Sequence, residues 1–145
     1  MSLKGTKSEQ QSAVYRAQSR LHWGAVVGVE EAQAWVDDKT SRSWWVGAYP
    51  HVVRIEVEEL HGNVTTVGGV GKSDHGNGKG VIGIPENGAS LVTLLHEMAH
   101  CIAHPSAGHG SEWARIFLTL TYNTLGSDRY VELYDAFVSD GVDIG

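Results

Sequence analysis

The stretch from Ala89 to His104 constrains this chain more than any other. Its apolar residues Leu91, Leu94, Leu95, Met98 and Ile102 recur at i, i+3, i+4, i+7 and i+11, which predicts a single amphipathic helix. Asn87 is placed to cap its start, and Pro105 ends it by disfavouring helical backbone at His104. Thr93, His96 and His100 fall on a separate face. Residues 96–100 read His-Glu-Met-Ala-His, so two imidazoles lie one helical turn apart on that face.

This spacing suits zinc. The ion is bound by neutral imidazole nitrogens in a tetrahedral shell, and a catalytic site keeps three protein ligands and one open position. His96 and His100 supply two ligands. Glu97, next in sequence to His96, is placed to accept a proton from water activated by the metal. With 8 histidines in 145 residues, the pattern alone is a moderate signal. The plainer reading is two satisfied histidines and a solvated glutamate on an ordinary amphipathic helix. The apolar residues flanking the histidine face argue against it.

Three residues compete for the third ligand. His109 follows Pro105-Ser106-Ala107-Gly108, a turn that can bring the chain back towards the metal. His104 lies eight residues from His96 and therefore about 12 Å along the axis, at about 1.5 Å per residue. Glu112 could bind as a carboxylate, or instead accept the outer N–H of a ligand histidine and orient it. His109 is favoured. Cys101 should point about 100° away from His100 and reads as a small core residue.

Composition narrows the class. At 145 residues the chain is long enough for one domain with a real core, and 41% hydrophobic with 19% charged residues is ordinary for a globular chain. No apolar run approaches the roughly 20 residues needed to span a bilayer, and no secretory signal is visible, so no membrane partner is expected. A single cysteine forms no internal disulfide, which fits a reducing cytoplasm. The formal net charge of −6 argues against nucleic acid as a partner, although Lys4, Lys7, Arg16 and Arg20 cluster near the start.

The remaining elements are coarser. Residues 8–22 read as a helix with Val14, Ala17 and Leu21 inward, and residues 29–39 as a second with Ala32, Trp35 and Val36 inward. Ser43-Trp44-Trp45-Val46 reads as a helical turn. His51 to Glu58 alternates, with Val53, Ile55 and Val57 on one face, and predicts a half-buried strand. Val64–Val70 and Gly80–Ile84 predict two more, joined by a Gly71–Gly78 loop. Gly68-Gly69-Val70-Gly71-Lys72-Ser73 looks like a phosphate loop, but Thr66 stands where glycine is needed, and Asp74-His75-Gly76-Asn77 breaks the helix that must follow. A flexible hairpin tip is the better account; the loop is also expected to act as a flap over an extended peptide, with His75 suited to contact a developing oxyanion, the alternative being a plain hairpin tip. Ser111 and Ser127 are placed to cap two closing helices, ended by Gly126 and Gly141. His22, His51 and His61 have no partner at useful spacing and read as surface residues.

Residues 89–113 resemble the active-site segment of zincin metallopeptidases. HExxH followed by His109-Gly110-Ser111-Glu112-Trp113 is similar to the SprT-like group, in which a third histidine sits in an HGxx(F/W) motif. A closer likeness is to a family of small metallohydrolases from actinobacteria and their phages. Its members share a helix start like Glu31-Ala32-Gln33-Ala34-Trp35-Val36-Asp37, a Trp44-Trp45 pair, a strand, the HExxH helix and the HGxE(F/W) element. The resemblance covers most of the chain from about residue 29. It implies one zinc ion on His96, His100 and His109, with Glu97 as base. The chain lacks the Cys-rich ribbon of many SprT-like proteins and the basic elements of their DNA-linked members.

Together these readings predict a single compact α+β, zincin-like domain over residues 1–145, with residues 1–28 as an N-terminal helix or extension. A small, mainly antiparallel sheet is expected to pack against the HExxH helix and several others. Val81-Ile82-Gly83-Ile84 is the expected edge for pairing with an extended substrate. The expected function is a zinc metallopeptidase acting on a peptide or protein. The alternative is a zinc-stabilised binding or regulatory module without turnover.

Overall fold

In a computed structural model of the chain, residues 7–60, 70–74 and 78–145 are described. The architecture is α+β. Helix α1 (Lys7–Gln18) leads through strand β1 (Ala25–Val26) to α2 (Gly28–Thr40) and α3 (Ser43–Ala48). Strands β2 (Arg54–Glu59), β3 (Val70–Asp74) and β4 (Lys79–Ile84) follow. After β5 (Ala89–Ser90) come α4 (Leu91–Ile102), a 3-10 turn (Pro105–Ala107), α5 (Ser111–Leu125) and α6 (Ser127–Asp140).

The sheet order is β2-β4-β3, parallel between β2 and β4 and antiparallel between β3 and β4. A second, two-residue antiparallel ladder joins β1 to β5. Strand β4 is therefore central, and Val81–Ile84 is not the edge that the sequence pattern implied. Its alternate residues Gly80, Ile82 and Ile84 are buried, as a central strand requires. The β2 edge is covered differently. Gln33 of α2 donates to the Ile55 carbonyl (2.9 Å) and accepts from the Val57 amide (2.7 Å), so one side-chain amide stands in for a neighbouring strand. Strand β3 forms the other edge of this sheet.

Helix α4 runs through the middle of the molecule, packed against β3, β4 and α5. Its core stripe is as the spacing predicts, with Leu94, Leu95, Met98 and Ile102 buried. Val92, Ala99 and Cys101 on its other sides are buried too, so the helix is enclosed almost all round. Its cap is Ser90, not Asn87: the Ser90 hydroxyl accepts from the Thr93 amide at 3.1 Å. The β1–β5 ladder holds Ala89 and Ser90 extended, which delays the helix start.

Other boundaries shift for local reasons. Val53 is 76% exposed while Val52 is 2% exposed, the reverse of the expected alternation. The Val53 and Arg54 amides both reach the Gly78 carbonyl, which breaks the two-residue period before β2 begins. Strand β3 occupies Val70–Asp74, so Gly71–Asp74 belong to a strand and not to a loop. The expected Val64–Val70 strand otherwise falls on residues 61–69, outside the described residues, as do His61 and His75–Asn77. Gly110 and Gly126, not Ser111 and Ser127, are the residues that cap α5 and α6; the serines are each helix's first residue.

Gly80 fixes how closely α4 approaches the sheet. A Cβ there would lie 2.7 Å from Cys101 Sγ and 2.8 Å from Cys101 Cβ. Gly80→Ala is expected to cost about 1–3 kcal/mol through overpacking, read as a lower urea midpoint with an unchanged slope.

Candidate metal centre

Helix α4 carries His96, Glu97 and His100. His96 and Glu97 are buried, and His100 is half-buried. The helix ends at Ile102, and Ala103 is extended. The 3-10 turn follows, and Gly108 (φ 54°, ψ −126°) turns the chain back in a backbone conformation that favours glycine. His109 is thereby delivered to the two helical histidines.

The three rings converge through the same atom. His109 Nε2 lies 3.2 Å from His96 Nε2 and 3.2 Å from His100 Nε2. One ligand nitrogen from each residue falls within 4.8 Å of the others. A tetrahedral zinc with bonds of about 2.0–2.1 Å places its ligand nitrogens about 3.3 Å apart. Two of the three separations are close to that edge, so the three imidazoles lie near enough to hold one metal ion. The Glu97 carboxylate reaches within 4.0 Å of His96 Nε2, beside the point of convergence.

The other sequence candidates lie elsewhere. His104 is exposed and engages Ser106, whose hydroxyl is 2.7 Å from His104 Nδ1. Glu112 accepts from the His104 backbone amide at 3.5 Å; that is a loop contact, not the outer N–H of a ligand histidine. Cys101 is buried against β4. His22 and His51 are exposed, the latter within 3.3 Å of the Ile102 carbonyl. Arg16 and Arg20 both meet Asp140 of α6, so this basic cluster is partly neutralised.

Sequence reasoning missed the groups around the triad. Trp113 is fully buried and lies beside all three imidazoles, with centroid distances of 4.6, 5.1 and 4.8 Å to His96, His100 and His109. Its indole N–H donates to the His96 carbonyl at 3.3 Å. The tryptophan of the HGxEW pattern is thus the floor of the site as well as a core residue. Helix α1 supplies the rest. Tyr15 stacks on His96 (5.6 Å) and meets His109 edge-on (5.9 Å). Gln10 donates to the His109 carbonyl (2.9 Å), and Gln18 pairs with His96 Nδ1. The one available signal was polar: Gln10 and Gln18 stand at i and i+8 around buried Val14, on a stripe that should be apolar.

Electrostatics favour uncharged ligands. Burial holds the His96 imidazole well below its ordinary range, with His100 and His109 adding to the effect. His100 is pushed down to about 4 by burial and then by His109, and burial lowers His109 as well. Tyr15 is raised, first by burial and then by the Glu97 carboxylate, so its phenol stays protonated at neutral pH. These shifts give the metal-free protein a signed pH dependence. The folded histidines bind protons less readily than the unfolded chain, so stability is full above about pH 6.5 and falls as pH drops towards 4. Urea unfolding of chelator-treated protein between pH 7.5 and 4.5 should show it; a flat profile would contradict the burial of the triad.

Comparison with known proteins returns no match: no family model, no curated protein and no solved structure matches this chain. Among the described residues no helix is long and apolar enough to cross a membrane.

Proposed function

We propose that this protein is a zinc-dependent hydrolase, and specifically a metallopeptidase of the zincin kind. The observation that carries the reading is His109 Nε2 lying 3.2 Å from the Nε2 atoms of both His96 and His100, with the Glu97 carboxylate 4.0 Å from His96 Nε2. Three neutral nitrogens and an adjacent buried carboxylate are what metal-assisted hydrolysis needs. His96, His100 and His109 would hold the zinc ion, which would supply Lewis acidity and lower the pKa of water towards about 7.

The chain's own groups do the rest. Glu97 accepts a proton from the attacking water and passes it to the leaving amine. Its burial, at 5% exposure, keeps competing water from screening that transfer. Tyr15, protonated and partly exposed, packs its ring on His96 and His109 beside the carboxylate. The outer edge of β3, next to α4, is the surface best suited to pair with an extended peptide. This reading assigns a peptide or protein as the substrate class.

Cleavage of a random peptide library by the zinc-loaded protein tests the proposal. Zinc-dependent turnover supports it. Zinc binding with no cleavage of any peptide would leave a zinc-stabilised binding module instead.

A further inference from the structure

We propose that Gln18 is a positioning residue for the metal centre, selecting the His96 tautomer whose Nε2 lone pair faces the other two histidines. The inference rests on the metal reading above and adds a residue 78 positions away in sequence.

Gln18 Oε1 lies 2.5 Å from His96 Nδ1. With the carboxamide oxygen facing the ring, as placed here, Nδ1 carries the proton and donates it. The neutral ring has one N–H, and Nε2 is then left with its lone pair. That nitrogen is the one 3.2 Å from His109 Nε2. The opposite tautomer would put a hydrogen where the ion must bind. His96 is only 2% exposed, so solvent is poorly placed to take over the acceptor's role.

The chemistry of the partner also matters. Ligand histidines commonly give their outer N–H to a carboxylate or a carbonyl. Here the partner is an amide, which orients the ring without adding a charge. The placement is robust because α1 is held to the site at two further points. Gln10 grips the loop carrying His109, and Tyr15 packs on both His96 and His109. Val14 and Ala17 are fully buried and anchor the helix between these contacts. Losing the Gln18 acceptor should therefore alter the imidazole without releasing α1.

The test uses two readouts on Gln18→Met, which keeps side-chain length and removes the strong acceptor. The first is long-range ¹H–¹⁵N correlation of the His96 ring in metal-free protein. The second is zinc affinity by competition with a chromophoric chelator. Wild type is expected to show the Nδ1–H tautomer. Gln18→Met should show Nε2–H or a mixture, and bind zinc roughly 10–100-fold more weakly. Gln18→Glu, which retains an acceptor, should restore both the Nδ1–H signal and tight binding. If Gln18→Met fails to fold, Gln18→Asn withdraws the amide by one methylene and carries the same two readouts. A folded variant with wild-type tautomer and wild-type affinity would overturn the proposal. A wild type that binds no zinc, while its tautomer still responds to Gln18, would overturn the metal reading and leave the tautomer assignment standing.

Discussion

Glu97→Gln is expected to lower peptide hydrolysis by roughly 10²–10⁴-fold while zinc stays bound. Glutamine keeps the shape of the side chain and removes its ability to take a proton. The carboxylate is buried and 4.0 Å from His96 Nε2, so the effect should fall on turnover and not on metal content. Steady-state cleavage of a fluorogenic peptide, alongside elemental analysis of the same samples, reads both quantities. Loss of zinc in the variant would make Glu97 a ligand and would remove the assigned base. Unchanged turnover would place the proton acceptor elsewhere.

Trp113→Ala is expected to have the largest effect on stability, about 3–5 kcal/mol. The indole is fully buried, touches the three imidazoles and Phe117, and donates to the His96 carbonyl. Truncation leaves a cavity directly beneath the ligands, so zinc affinity should fall with stability. Denaturant unfolding with and without zinc measures the two together. Trp113→Phe, which fills part of the space but lacks the N–H, should give a smaller loss. A stability change under about 1 kcal/mol for the alanine variant would contradict the packing described here.

The helix bearing the histidines was legible because its signal is local. Apolar spacing, the i and i+4 histidines and the following proline all lie within sixteen residues, Leu91 to Ser106 included. The approach of His109 was legible in outline, since a short turn ending in glycine leads into it. What failed to show was tertiary in origin. The Ser90 cap replaces Asn87 because a β-bridge to residues 25 and 26 holds the preceding residues extended, and that bridge spans more than sixty positions. Val81–Ile84 reads equally well as an edge or a central strand until its parallel partner is known. The Val52–Val53 reversal depends on the Gly78 carbonyl, a contact outside any local window. The part that α1 plays did not show in its apolar stripe, because its three residues facing the site, Gln10, Tyr15 and Gln18, are polar or amphipathic. Their role emerges only when α1 lies against α4 and the His109 loop. Glu112 illustrates the reverse: its position in the motif pointed to a ligand partner, but helix geometry aims it at the His104 amide.

The central claim is that His96, His100 and His109 together hold one zinc ion. Zinc content of the purified wild type and of His109→Ala, measured in parallel by elemental analysis, tests it most directly. The account predicts about one zinc per chain in wild type and strongly reduced occupancy in His109→Ala. Full zinc in His109→Ala, or none in a wild type supplied with zinc, would contradict it.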